Sequence, residues 1–148
     1  MSGNSPDPSY AEQFVLRAKL YWALGLIDVG IKDMSMAMSL APDHIEVRRF
    51  NDMMQRKSTE LYRTALNHMM HHDFSSAIKL LTAALRIAPR DIKLLVTRAS
   101  AHRQAGACDI ALVDLSQAST AFCHSMRPSS RAVEEQANSS SLQDHEPY

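Results

Sequence analysis

The sequence predicts an all-α fold, and three observations carry that expectation. Ala, Leu and Met number 43 among the 148 residues while Val, Ile and Thr number 18, a balance that favours helix over strand. Gly occurs 4 times, and between Ala11 and Phe122 the only prolines are Pro42 and Pro89, so long stretches are free of helix breakers. Within those stretches the apolar residues recur three and four apart, the spacing of one helical face. The length suits one domain or a short stack of repeats with a real core.

Charge and leader content narrow the function classes. Sixteen Lys+Arg balance 16 Asp+Glu, giving a formal net charge of zero. That balance disfavours a chain held to nucleic acid or an anionic membrane by its overall field. No apolar run approaches the ~18 residues of a membrane span, and Met1–Tyr10 has neither the basic nor the apolar region of a secretory leader. Cys108 and Cys123 are too few for a disulfide framework and fit a reducing, cytoplasmic compartment. Fifteen residues apart along a helix, they would be roughly 22 Å from each other, far beyond the ~7 Å a bridge allows.

Taken in order, residues 1–10 hold Gly3, Pro6, Pro8 and three serines and read as a disordered lead-in. Residues 11–44 read as a helical hairpin broken at Gly25 and closed at Pro42. No Pro or Gly interrupts His44 to His72, and Val47, Phe50, Met54, Leu61 and Ala65 keep the helical spacing. One long helix is therefore expected from about Asp43 to His71, with residues 45–57 as an inserted extension. Its charges alternate in sign, and Asp52–Arg56 and Arg56–Glu60, four apart, suit a solvated, ion-paired face. Residues 58–91 and 92–123 read as further hairpins, and 124–148, rich in Ser, as a disordered tail.

The two prolines sit in matching phrases, Leu40-Ala41-Pro42 and Ile87-Ala88-Pro89. With each Pro at position 32 of a 34-residue unit, units start at Ala11, Ser58 and Ile92. Small residues then coincide: Ala18, Ala65 and Ala99 at position 8, Gly30, Ala77 and Ala111 at position 20, and Ala37, Ala84 and Ala118 at position 27. Position 24 is large (Met34, Leu81, Leu115), and position 15, the turn, is Gly25, His72 and Gly106. Small residues let helices approach closely and large ones fill the gaps between them. The segment from about Ala11 to Phe122 resembles three tetratricopeptide repeats. It departs from them in the 13 extra residues between the first two units and in Cys123 where the closing Pro belongs.

Position 7 is Arg17 and Arg98 where position 23 is Asp33 and Asp114, and in the middle unit both are lost together, to Thr64 and Leu80. Joint presence and joint loss predict the structural ion pairs Arg17–Asp33 and Arg98–Asp114. No phosphate loop, nucleophile elbow, His-Glu-x-x-His or Cys-x-x-Cys is present, so no catalytic residue and no cofactor is assigned, and the chain does not read as an enzyme. His68 and His72, four apart, could face a metal from one side of a helix, but a third ligand is lacking. They support only a lesser alternative and no metal ligand is assigned. Met34 and Met38 fall where second helices pack and read as core filler.

The resemblance implies a helical-hairpin solenoid that acts as a protein-interaction scaffold or adaptor. It would bind a peptide or helix in a groove lined by the first helix of each repeat. Groove positions of the family fall here on Val15, Lys19 and Trp22, on Tyr62, Leu66 and Met69, and on Lys93, Val96, Ser100 and Arg103. These suit an amphipathic, somewhat acidic protein segment, with Trp22 alternatively packing on its neighbour. Of the family's carboxylate-clamp positions only Lys93 matches, which disfavours that mode. Leu112, Val113 and Phe122 on the last helix are expected to be partly uncovered. Self-association through that end, or a place in a longer array, is the alternative reading.

Overall fold

The computed structural model describes residues 7–127; 1–6 and 128–148, where most of the expected lead-in and tail fall, lie outside the described residues. Six helices follow one another: α1 (Pro8–Ala23), α2 (Ile27–Leu40), α3 (Ile45–Met70), α4 (Phe74–Ile87), α5 (Ile92–Gln104) and α6 (Cys108–Met126). No strand occurs among the described residues, and none of the helices is long and apolar enough to cross a membrane. Three helices, α1, α4 and α5, start where a side chain satisfies free backbone N–H groups: the carboxylates of Asp7, Asp73 and Asp91 accept from Ser9, Ser76 and both Lys93 and Leu94.

One turn is built three times. At Gly25, His72 and Gly106 the backbone is left-handed, with φ of 75°, 59° and 86°. Around each, two hydrogen bonds close the preceding helix. Gly25 N–H donates to Trp22 and Leu26 N–H to Tyr21; His72 donates to Met69 and Asp73 to His68; Gly106 donates to Arg103 and Ala107 to His102. This is the Schellman arrangement, which favours Gly because other residues meet their own backbone there. His72 bears that strain and sets its ring edge-on to Phe74 at 5.9 Å.

The turns fold α1 on α2, α3 on α4 and α5 on α6, while α4 also packs on α5. All nine small residues at positions 8, 20 and 27 are buried. At Gly30 the approach is close, since a Cβ there would lie 3.1 Å from the Ala18 carbonyl oxygen. Two apolar cores result, one around Ala18, Met34, Ala37, Val47 and Phe50, the other around Ala65, Leu81, Ala84, Leu94 and Leu95.

The long helix α3 belongs to both. Val47 and Ala65 are 18 residues apart, five full turns, so they share one face some ~27 Å apart. The first is 1 % exposed against α1 and α2, the second 0 % exposed against α4. The opposite face carries Asp52, Gln55, Arg56, Thr59, Glu60 and Arg63 around an open concavity of about 530 Å³. The ion pairs on α3 are Glu46–Arg49 and Lys57–Glu60, three apart, rather than the expected Asp52–Arg56 and Arg56–Glu60.

Several expectations are corrected. Residues 8–10 are the first turn of α1 and 124–126 the last turn of α6, not part of the lead-in and tail. Cys123 lets α6 run on because it keeps the N–H and the free φ that Pro would remove. Met34 is core, but Met38 is 41 % exposed. Leu115, expected to fill a gap as Met34 and Leu81 do, is 45 % exposed because no described helix follows α6.

Candidate partner-binding site

Among the expected groove residues, those on the second half of α3 and the start of α5 are the ones brought together. Asp91 fixes the start of α5 by accepting from the N–H groups of Lys93 (2.9 Å) and Leu94 (3.4 Å). Lys93 reaches back over the Tyr62 ring, its Nζ 5.6 Å from the centroid, which draws the two helices together through a cation–π contact. A small recess of about 50 Å³ opens beside them, floored by Ser58 and Leu94. One turn further along each helix, Leu66 and Val96 are exposed. Met69 is half-buried against the second core. Ser100 is half-buried near Gln104, which donates to its hydroxyl at 3.5 Å, and Arg103 is exposed. Of the expected groove residues, Tyr62 and Lys93 are thus brought together, with Leu66 and Val96 exposed one turn further along their own helices.

The residues expected from α1 do not join them. Val15 is 2 % exposed inside the first core, where the extended α3 leans on it through Val47 and Phe50, so it cannot touch a partner. Trp22 is half-buried and meets the Phe50 ring edge-on, 6.1 Å between centroids, and so packs on the neighbouring helix. Lys19 is paired to Glu46 at 2.8 Å and holds that carboxyl below the usual range, with Arg49 adding to the effect. Phe50 lies twelve residues before Tyr62, about 18 Å along α3, so the extension divides what the repeat frame makes one groove.

The acid–base pairs are bidentate. Arg17 donates from Nε and a terminal nitrogen to the two Asp33 oxygens, both at 2.7 Å, and also lies over the Phe14 ring at 5.3 Å. Arg98 donates likewise to Asp114 at 2.9 and 2.6 Å and to the Thr82 hydroxyl at 3.2 Å. The Asp114 side chain is 2 % exposed and that of Asp33 8 %. Each pair ties a first helix to its second and leaves no reactive group free.

The two histidines do not share a helix face, because His72 lies beyond the end of α3 in the left-handed turn. His68 Nδ1 contacts Asp73 at 3.0 Å, and that carboxyl is held below its usual range, first by the Ser76 hydroxyl and N–H and then by His68. No group of three His, Cys, Asp or Glu suited to a metal occurs among the described residues. Both cysteines are free and exposed.

Sequence reasoning missed Asp28–Arg86, a two-point contact at 3.0 and 3.2 Å that joins α2 to α4 across the hairpins. Asp28 stands in the first turn of α2 and Arg86 in the last turn of α4, so the repeat frame, which gives them different positions, held no signal for the pair. Each partner favours the charged state of the other. Compared with known proteins, the chain matches no protein-family model and no curated sequence.

Proposed function

We propose that this chain is a tetratricopeptide-like array of three helical hairpins that serves as a protein-interaction adaptor, holding a short peptide or helix on the face shared by α3 and α5. The observation that carries the reading is the threefold recurrence of the left-handed turn at Gly25, His72 and Gly106, with the same two hydrogen bonds each time. Burial of all nine small residues at the matching positions supports it. A stack of like hairpins exposes a row of first helices, and such a row offers side chains at regular spacing to an extended or helical ligand.

The chemistry of the face defines the occupant. Tyr62, Leu66 and Val96 offer apolar contact, and Lys93 and Arg103 add positive charge. An amphipathic segment with acidic residues beside its apolar ones fits both. Because the extension separates Trp22 and Lys19 from this face, the site spans two first helices rather than three, and the bound segment is correspondingly short.

The test compares partner recovery by affinity purification of wild type, Leu66→Glu, Val96→Glu and Trp22→Ala. Leu66 and Val96 are exposed, so their variants should keep the wild-type melting curve while losing partners. Trp22→Ala should lower stability through lost packing on Phe50 and keep the partner set. Undiminished recovery from a Leu66→Glu/Val96→Glu double variant would move the binding surface elsewhere.

A further inference from the structure

Two surfaces, on the first and last of the described helices, carry at matching repeat positions the residues that are buried at the seams inside the molecule. The receiving half is position 24 of a second helix. Met34 and Leu81 occupy it in the first two hairpins, 1 % and 0 % exposed, because α3 and α5 follow and cover them. Leu115 occupies it in α6 and is 45 % exposed, beside Leu112 at 65 % and Phe122 at 50 %. The entering half is position 10 of the helix that covers such a face. Ala101 of α5 fills it at 0 %. Met54 fills it at 3 %, counting the first half of α3 as the unit that follows Ala11 by 34 residues. In α1 the same position is Leu20, 58 % exposed, flanked one turn away on each side by Leu16 at 62 % and Leu24 at 72 %.

We infer that copies of this chain associate head to tail, α1 of one copy docking on α6 of the next as α5 docks on α4. The inference rests on the repeat reading above and extends it to the ends of the array. The occupant is a second copy because the two faces match through a contact pattern found within the chain itself. Each is apolar, and its key position, that of Leu115 or Leu20, is buried at both seams inside the chain. A formal net charge of zero adds no long-range repulsion between copies. Such a contact joins unlike surfaces and does not close on itself, so it builds dimers, then longer rows, as concentration rises.

Sedimentation velocity of the full chain from ~5 to ~200 μM tests this, a range that spans affinities of transient contacts. The weight-average sedimentation coefficient should climb with concentration. Leu20→Glu and Leu115→Glu, both at exposed positions, should each keep the helical circular dichroism signal and each weaken association about tenfold or more. Mixed together, the two variants should form a one-to-one dimer, since one retains an intact α6 face and the other an intact α1 face. A wild type that stays monomeric throughout would overturn the inference, whatever covers the α6 face. Association by Leu20→Glu alone at wild-type strength would overturn it too, because it would show like faces meeting. Partner recovery with Leu66→Glu is a separate readout: undiminished recovery with association intact refutes only the groove, and lost recovery without association refutes only the end-to-end contact.

Discussion

Removing the guanidinium of Arg98 should be among the most damaging single changes in the molecule, and the chain itself shows how to repair it. Both Asp114 oxygens accept from Arg98, and the Asp114 side chain is 2 % exposed while that of Arg98 is 19 % exposed. Arg98→Ala leaves a carboxylate in the interior without its donors, a loss that typically costs 3–5 kcal/mol; the remaining water access to Arg98 places this one near the lower end, at about 3 kcal/mol. That is a large part of the ~5–15 kcal/mol that holds a domain of this size together. The middle hairpin does without the pair, carrying Thr64 and Leu80 at the same two places. The double variant Arg98→Thr/Asp114→Leu should therefore return to within about 1 kcal/mol of wild type, because an apolar replacement removes the desolvation cost along with the attraction. Urea unfolding followed by circular dichroism reads this directly. At slopes of roughly 1–3 kcal/mol per molar, the single variant's midpoint should fall by about 1–3 M and the double variant's should nearly recover. Arg17→Ala should cost less than Arg98→Ala, since the Arg17 side chain is 56 % exposed and water screens the pair it leaves. A double variant no more stable than Arg98→Ala, or Arg17→Ala as damaging as Arg98→Ala, would refute the reasoning.

Two further predictions concern the turns and the caps. Gly25→Ala and Gly106→Ala meet nothing within 4 Å, so each should lose about 1–2 kcal/mol from backbone strain alone, whereas His72→Gly should gain up to about 1 kcal/mol on relief of the same strain. Thermal melts of the three variants decide it, and a destabilised His72→Gly would show that the Phe74 contact outweighs the backbone term. Asp73 has a folded pKa below its ordinary value, so its stabilising effect is complete above the usual carboxylate range and is lost as pH falls through the folded value. Asp73→Ala should accordingly flatten the acid limb of the melting temperature below about pH 4, and an unchanged slope there would contradict that account.

The repeat frame located what depends on local spacing. Nine small residues, two turn glycines and both Arg–Asp partnerships were legible because each is fixed by its distance from a proline or a turn. What the frame missed depends on how the hairpins sit after the insertion. Val15 looked like a groove residue by number, and only the lean of the extended α3 explains its burial. Met38 looked like core by the same logic, yet the helix that would cover it is not placed there. The end of α6 was misjudged because the frame expected a stop where Cys123 permits helix. His72 occupies a position at which Gly is the rule, so its strained backbone was predictable from the two glycines it parallels.

One consequence of α3 reaches beyond architecture. In a string of hairpins each unit can melt while its neighbours stand, since contacts run only between adjacent members. Here one unbroken rod contributes side chains to two hydrophobic centres, so fraying either centre withdraws support from half the rod and, through it, from the other. The molecule should therefore unfold in a single sharp transition with α3 as its splint, and a glycine introduced midway along that splint should split the melt in two.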